Sequence, residues 1–190
     1  MGRLIYITIA SLDGFVEDAE GSFQWGTPDA EVFAFTNELL RSVGTNLYGR
    51  RMYEVMLFWE TEPKGDDATN VEKEFAKAWR AADKIVFSRT LNSPSSANTR
   101  LEREFTPDIV RGLKQTSERD LTVSGAELAG QALKAGLVDE LQLLVVPKLV
   151  GGGKPWLPKG VRVDLDLLET RRFASGFVFL RYRPKPVAGS

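Results

Sequence analysis

Residues 121–153 read LTVSGAELAGQALKAGLVDELQLLVVPKLVGGG, and this stretch is the strongest indication of the fold. Leu121 to Val123 predicts a short strand, and Glu127 to Ala135 predicts a helix that is closed by Gly136. Leu141 to Val146 is a near-continuous apolar run that ends at Pro147, which predicts a buried strand. A strand, a helix and a strand in succession are typical of an α/β protein with a parallel sheet.

The same alternation extends through the rest of the chain. The other predicted strands are Arg3 to Ala10, Asn46 to Tyr48, Lys84 to Ser88, Val161 to Leu168 and Phe177 to Tyr182. The other predicted helices run from Thr27 to Val43, Gly49 to Met56, Val71 to Ala82 and Pro107 to Lys114, whereas 66–70 and 91–100 are predicted loops. Because the last strands follow one another directly, we expect a mixed, mostly parallel sheet with an antiparallel C-terminal edge.

The length and the lack of breaks predict one domain. The chain has 190 residues, 43% of them hydrophobic, and a chain of this size buries roughly 70% of the surface that it exposes when unfolded. It contains no internal repeat and no linker that would divide it. We therefore expect a single domain over residues 1–183, followed by a flexible C-terminal tail over 184–190.

The composition excludes several classes of function. The chain has no Cys and no His, which excludes disulfides, Cys/His zinc sites, thiol nucleophiles and a Ser-His-Asp triad. With 25 basic and 26 acidic residues the net charge is −1, which argues against nucleic acid or an anionic membrane as the main partner. No segment is long and apolar enough to span a bilayer or to act as a signal peptide, so we expect a cytoplasmic protein.

Two strand-to-helix turns are candidates for binding phosphate. Tyr48-Gly49-Arg50 and Ser124-Gly125-Ala126 each consist of a strand end, a glycine and a helix start. Free N–H groups at a helix start attract phosphate, and glycine lets a ligand approach the backbone closely. Either turn alone is better explained as a tight strand-to-helix turn. The two together, with arginines attached, favour a dinucleotide.

A third strand end offers groups that suit an adenosine 2′-phosphate. Ser88, Arg89 and Thr90 supply two hydroxyls and a guanidinium, and Arg can bind a phosphate through two hydrogen bonds. The alternative is a solvated surface arginine beside an ordinary turn.

Searches for standard motifs are negative. The segment 151–155, GGGKP, is superficially similar to a P-loop, but Pro155 replaces the Ser or Thr that must bind magnesium. No Gly-x-Gly-x-x-Gly follows a strand, so the Rossmann fingerprint is absent. The acidic pair Asp66-Asp67 is typical of a solvated loop rather than a metal site, so no metal is expected.

Two carboxylates at the first helix are candidates for proton transfer. Such a group needs partial desolvation to raise its pKa towards neutrality. Helical periodicity places Asp29 on the apolar face with Val32 and Phe33, and places Glu31 at the edge of that face. Asp29 is equally explained as a partner of the helix dipole in the first turn.

Four motifs in order resemble a known family. They are IASLDGFVED (9–18), GRRMYE (49–54), VFSRTL (86–91) and VSGAELAGQALKAGLVDELQLLVVPKLVGGG (123–153). The chain resembles the dihydrofolate reductase-like superfamily, and most closely its branch with the C-terminal reductase domain of the bifunctional riboflavin-biosynthesis protein and many stand-alone relatives. The resemblance covers roughly residues 3–182. It implies a three-layer αβα domain that uses NADPH.

The resemblance also implies roles for individual residues. It places Ile9 and Ala10 near the nicotinamide, begins a mobile loop at Asp13, and closes that loop with Trp25. It assigns the phosphates to Gly49, Arg50, Arg51 and Met52, the adenosine end and its 2′-phosphate to Ser88, Arg89 and Thr90, and the pyrophosphate to Ser124, Gly125, Ala126, Glu127 and Leu128. Phe15, Trp25 and Phe35 are the expected lining of the substrate pocket.

Several residues depart from the family pattern. Met52 stands where the family usually has Thr, and Glu127 is an acid close to an expected phosphate. The spacing from Trp25 and Phe35 favours Glu31 as the catalytic acid, whereas periodicity favours Asp29. Without Cys or His, the chain contains no zinc deaminase domain, and the stand-alone branch has no single agreed substrate.

The predicted function is an NADPH-dependent reductase that transfers a hydride to a small heterocycle similar to a pterin or a ribosylaminopyrimidine. The alternative is a non-catalytic module that binds a nucleotide or small molecule on the same scaffold. By analogy we also expect a homodimer, with the strand from Leu141 to Val146 or its neighbours at the interface.

Overall fold

An eight-stranded sheet organises the chain in the computed structural model, which describes residues 1–62 and 69–186. Within these ranges the strands are β1 (Leu4–Ser11), β2 (Phe15–Glu17), β3 (Val43–Gly49), β4 (Asp83–Phe87), β5 (Thr99–Glu102), β6 (Asp120–Ser124), β7 (Glu140–Val146), β8 (Lys154–Pro155), β9 (Leu165–Arg172) and β10 (Val178–Pro184). The order in the sheet is β5-β4-β3-β6-β1-β7-β10-β9, and β2 pairs separately with β8.

The strand directions confirm the predicted sheet. The six strands from β5 to β7 in this order are mutually parallel. β10 runs antiparallel to both β7 and β9. The mostly parallel sheet therefore has an antiparallel C-terminal edge.

Helices cover both faces of the sheet and complete the three αβα layers. They are α1 (Ala30–Leu40), α2 (Arg50–Met56), α3 (Phe58–Thr61), α4 (Asn70–Ala81), α5 (Pro107–Thr116) and α6 (Ala126–Lys134). Leu47 of β3 packs into a core with Val110 of α5 and Ala129 of α6. The next residue, Tyr48, packs on the opposite face against Trp79 of α4. Alternate residues of the central strands thus bury into two separate layers.

Several boundaries differ from the sequence predictions, and β9 (Leu165–Arg172) begins four residues after the predicted strand from Val161. β5 occupies part of the predicted loop 91–100, because this polar edge strand has no apolar run to reveal it. α1 ends at Leu40 rather than Val43, because Val43 already pairs with Asp120 at the start of β3. β10 includes Pro184, which was assigned to the tail. Residues 66–68 of the predicted loop 66–70 lie outside the described residues, and these include the acidic pair Asp66-Asp67. The tail residues 187–190 also lie outside them.

The position of β7 bears on the predicted dimer. β7 is hydrogen-bonded to β1 on one side and to β10 on the other, and it is largely buried, so β7 itself offers no free edge to a second copy. Its neighbour but one, β9, ends the sheet on that side. Homodimerisation stays a prediction.

No helix in the described ranges has the length and apolar character that crossing a membrane requires.

An ion pair between β1 and β6 predicts an acid-sensitive contribution to stability. Arg3 precedes β1, and its Nη2 and Nε contact the Asp120 carboxylate at 2.6 and 3.2 Å. Burial raises the pKa of Asp120, but hydrogen bonds from Arg3 outweigh this and leave the pKa below its usual value. A lowered folded-state pKa stabilises the fold above the unfolded pKa of about 3.9 and loses that contribution as pH falls through the folded value.

We therefore expect Asp120→Asn to lower the free energy of unfolding by about 2 kcal/mol at pH 7. The difference from wild type should shrink as pH falls from about 5 to below 3, because protonation removes the same charge from the wild-type carboxyl. Urea unfolding at several pH values measures it, with the exposed Asp108→Asn as the control. A difference that does not change with pH would contradict the assignment.

Candidate active site

The two glycine turns lie side by side. Tyr48 of β3 is the register partner of Ser124 of β6, so Gly49 and Gly125 follow at the carboxyl ends of two neighbouring parallel strands. Gly125 has a φ of +92°, and a Cβ at this position would lie 3.3 Å from Cβ of Met52. The two turns are therefore in contact. In open α/β sheets, ligands bind at this edge.

Both turns leave backbone donors available. Neither Gly49 nor Gly125 provides a side-chain cap for the helix that it precedes. A Cβ on Gly49 would find no atom nearer than 4.0 Å, the distance to Leu128 Cβ. Uncapped N–H groups at the start of α6 together with the open space beside Gly49 form a surface that suits an anion.

A cavity of about 1480 Å³ opens beside these turns and continues between the sheet and the helices of one face. Ile7 and Ile9 of β1, Asn46 of β3 and Thr122 of β6 line it from the sheet. The helices contribute lining that sequence reasoning missed: Phe33, Thr36 and Asn37 of α1, Phe58 and Trp59 of α3, and Phe75 and Trp79 of α4. No local sequence pattern distinguishes these residues from core residues, since apolar positions on a helix usually pack into the hydrophobic core.

Of the predicted phosphate residues, Arg50 and Arg51 both line the cavity. Arg50 binds Glu54 at 2.7 Å and donates to Thr90 Oγ1 at 2.8 Å, so it connects the first glycine turn to the third loop. Arg51 pairs with Glu17 at 3.0 Å. The guanidinium groups are held near the turns by these contacts.

The acid in the second turn is neutralised. Glu127 pairs with Lys154 of β8 at 2.7 Å. This hydrogen bond and the positive charge of Lys154, with a smaller effect from Arg51, lower the pKa of Glu127. Glu127 also lies in the first turn of α6, where a negative charge interacts favourably with the helix dipole. Its charge is therefore compensated beside the expected phosphate.

A second cavity of about 430 Å³ adjoins the first and shares Gly49, Arg50, Glu127 and Leu128 with it. Ser88 and Arg89 line this smaller cavity, as does Arg103, which sequence reasoning missed.

Arg103 organises the third loop. Its Nη1 donates to the carbonyl oxygens of Ser88, Arg89 and Leu91 at 3.3, 3.5 and 2.6 Å. The residue follows β5, the strand that the sequence did not reveal. Ser88 in turn accepts hydrogen bonds from the N–H groups of Thr90 and Leu91 through its own hydroxyl.

The first loop has a different internal structure from the one expected. Asp13 does not line the cavity, because its carboxylate accepts hydrogen bonds from the N–H groups of Val150 and Gly151. Phe15 pairs with Pro155 in the small sheet, and Ala10 is fully buried. Ile9 and Trp25 line the cavity, as expected. Asp13 therefore attaches this loop to the connection after β7.

Phe35 lies in the core and not in the pocket. Its ring packs 4.8 Å from the ring of Phe179 and 5.3 Å from that of Phe173, measured between centroids. The neighbouring Phe33 lines the cavity instead. A rotation of about 200° separates two residues on a helix, which explains why one aromatic faces the core and the other the cavity.

The two predicted acids are both outside the cavity. Asp29 is not on the apolar face of α1, because it precedes the helix and caps it by accepting the N–H of Val32 at 2.9 Å. Hydrogen bonds from Ser175 and from Val32 lower its pKa, which is the opposite of what a proton donor at neutral pH needs. Glu31 is exposed and faces Arg171 at 3.7 Å.

Sequence comparison identifies relatives over nearly the whole chain. A family model described as the RibD C-terminal domain matches residues 3–179. A protein of Bacillus subtilis (strain 168), named uncharacterized protein YyaP, is 32% identical over 182 residues, which are 95% of this chain and 94% of the relative.

Solved structures share the fold at lower identity. A putative riboflavin biosynthesis protein from Shewanella sp. PV-4 aligns with a TM-score of 0.75 at 19% identity, covering 97% of this chain and 99% of its own. A pyrimidine reductase-like protein from Corynebacterium diphtheriae aligns with a TM-score of 0.65 at 16% identity, covering 98% and 93%.

A third structure is a larger protein from Thermotoga maritima, a diaminohydroxyphosphoribosylaminopyrimidine deaminase/5-amino-6-(5-phosphoribosylamino)uracil reductase. It aligns with a TM-score of 0.68 at 16% identity, covering 97% of this chain but 57% of its own. These likenesses confirm the fold that the four motifs predicted. The match over residues 3–179 shows that the chain belongs to the RibD C-terminal domain family.

Proposed function

We propose that this protein is a cytoplasmic NADPH-dependent reductase that transfers a hydride to a small heterocycle. The observation that carries the proposal is the adjacency of Gly49 and Gly125 above one cavity, with Arg50 and Arg51 attached. A dinucleotide requires adjacent phosphate sites and an apolar space for its reactive ring. Membership of a reductase-type family supports the same reaction class.

The residues present fit such a cofactor. The uncapped turn at Gly125 and the open space beside Gly49 would receive the diphosphate. Ser88 and Arg89 border the smaller adjoining cavity, where they would bind the 2′-phosphate. Ile9 and Trp25 would contact the nicotinamide at the end of β1.

NADPH supplies the hydride when it is bound, so the protein's task is to orient two rings and exclude water. The apolar side chains of the larger cavity provide that environment. Asp29 and Glu31 lie outside the cavity, so we do not assign proton delivery to them. The lining contains the hydroxyl groups of Thr36, Tyr48 and Thr122, of which Thr36 and Thr122 already donate their protons to the Val32 carbonyl oxygen and to Asn46 Oδ1.

Replacing Arg89 tests the cofactor assignment. We expect Arg89→Ala to weaken NADPH binding by at least about tenfold and to leave NADH binding unchanged, because only NADPH carries the phosphate that the guanidinium would bind. Isothermal titration with both cofactors measures this. Arg100→Ala, which removes an exposed arginine outside both cavities, is the control. Equal affinity of wild type for the two cofactors would refute the assigned loop.

A non-catalytic binding module is the second candidate. It is favoured by the positions of Asp29 and Glu31 outside the cavity and by Met52, which brings no hydroxyl to the phosphate turn. The two functions differ in turnover. Tight NADPH binding without oxidation in the presence of any of a panel of pterins and pyrimidines would support the module.

A further inference from the structure

The larger cavity contains a compartment that differs in chemistry from its cofactor end. We define the ring compartment as the part between the middle of the sheet and the helices α1, α3 and α4. Its sheet side carries Asn46 and Thr122. Its helix side is an aromatic wall, formed by Phe33, Phe58, Trp59 and Phe75.

The aromatic wall is continuous. Ring centroids lie 5.6 Å apart for Phe33 and Phe75, 4.7 Å for Trp59 and Phe75, and 5.0 Å for Phe58 and Trp59. Phe58 is 54% exposed although it is a large apolar residue, so the wall extends to the surface. Aromatic faces in this arrangement suit a flat ring as the ligand.

Cations in the described ranges line only the two ends of the cavity. Arg50, Arg51 and Lys154 are at the glycine turns, whereas Arg41 and Arg119 are near the amino ends of β3 and β6. At about 3.3 Å per residue, the seven residues of β3 separate these two edges by roughly 20 Å. The ring compartment lies between them.

Each of these cations already has a partner within the protein. Four pair with carboxylates that line the same cavity: Arg41 with Glu74 at 3.7 Å, Arg50 with Glu54 at 2.7 Å, Arg51 with Glu17 at 3.0 Å, and Lys154 with Glu127 at 2.7 Å. Arg119 donates to the carbonyl oxygen of Arg41 at 2.8 Å. Within the described ranges, the middle of the cavity therefore offers no positive charge to compensate a substrate phosphate.

The buried polar groups of the ring compartment are neutral, whereas Glu72 and Glu74 of α4, which also line the cavity, are acidic and less buried. Thr122 donates to Asn46 Oδ1 at 2.7 Å, and both side chains are buried. Asn37 donates through Nδ2 to the carbonyl oxygen of Val71 at 2.9 Å, but its own Oδ1 is buried without a hydrogen-bond partner in the described part of the chain. An unsatisfied buried acceptor is costly, and a ligand that brings an N–H group would relieve that cost.

We propose that the ring compartment binds an uncharged planar heterocycle that carries no phosphate and donates a ring N–H to Asn37 Oδ1. This inference rests on the proposed reductase function and narrows its substrate class. The desolvation free energy of a phosphate dianion beside neutral amides and aromatic rings exceeds the stabilisation that the ring contacts provide. The Thermotoga maritima relative, in contrast, is named for a phosphoribosylated uracil.

A matched pair of probes tests the proposal. The phosphorylated probe is 5-amino-6-(5-phosphoribosylamino)uracil, and its partner is the same compound without the phosphate. We expect the full-length protein, saturated with NADP⁺, to bind the unphosphorylated compound about tenfold more tightly. Methylation of both ring nitrogens should weaken that binding by about tenfold, because it removes the donor for Asn37. Isothermal titration measures all three affinities.

A substitution at the compartment mouth provides an independent check. Phe58→Arg places a cation beside the ligand at an exposed position, and we expect it to shift the affinity ratio towards the phosphorylated probe by about tenfold. Phe58→Leu should keep the wild-type ratio.

The outcomes separate this inference from the proposed function. Equal or tighter binding of the phosphorylated probe by wild type would overturn the inference, as would failure of both probes while NADPH binds. Absence of NADPH binding would count against the proposed function itself.

Discussion

Gly125→Ala should lower the affinity for NADPH by about 100-fold, a larger effect than that of any single charged residue at the site. The new Cβ would lie 3.3 Å from Met52 Cβ, tighter than an ordinary contact, so the turns before α2 and α6 would have to separate. The φ of +92° at Gly125 adds strain of about 1–3 kcal/mol for any other residue. Both effects fall on the backbone that would bind the diphosphate.

Gly136→Ala is the matched control for Gly125→Ala. Gly136 ends the same helix and also has a positive φ, +65°, but a Cβ there would meet no atom within 4 Å. It should therefore share the backbone strain and leave the cofactor affinity unchanged. Thermal unfolding gives the stability change, and fluorescence titration gives the Kd for NADPH. If both variants lose affinity equally, the contact between the two turns does not shape the site.

Gly153→Ala should destabilise the fold by about 3 kcal/mol and weaken NADPH binding as well. Gly153 has a φ of +129°, and a Cβ would lie 2.0 Å from the carbonyl oxygen of Glu17 and 2.6 Å from the carbonyl carbon of Asp18. These are backbone atoms, so β8 would have to move away from β2. Lys154 would then separate from Glu127, and Glu17 would separate from Arg51, so both ion pairs at the phosphate turns would break.

Gly152→Ala controls for the loss of glycine at the adjacent position. A Cβ on Gly152 has open space and no positive φ to oppose it, so we expect a change within about 0.5 kcal/mol. Urea unfolding of both variants, followed by NADPH titration of the folded protein, gives the comparison. Equal stability of the two variants would show that the small β2–β8 sheet can shift without cost.

Much of the fold was predictable because its signals are local. The strand around Leu144 is largely apolar on both sides, as expected for a strand that is covered on both faces, and Leu47 and Val123 mark their strands on one face. β5 was not predictable, because an edge strand that pairs on one side needs no apolar run. The position of Asp29 was wrong because periodicity gives the spacing of residues around a helix but does not show where the helix begins. Phe35 was expected as pocket lining, but the packing of α1 places its ring in the core.

The sequence by itself determined most of the larger strands and helices and the two glycine turns, because each depends on neighbouring residues along the chain. It also excluded thiol chemistry, Cys/His zinc sites and histidine catalysis, because these follow from the composition alone. The tertiary structure decided which groups meet. Insertion of β6 between β3 and β1 brings Gly125 beside Gly49, and packing of α1 against α4 places Asn37 and Phe33 over the sheet. Contacts between residues so far apart in the chain arise only when whole elements pack, and no local pattern encodes them.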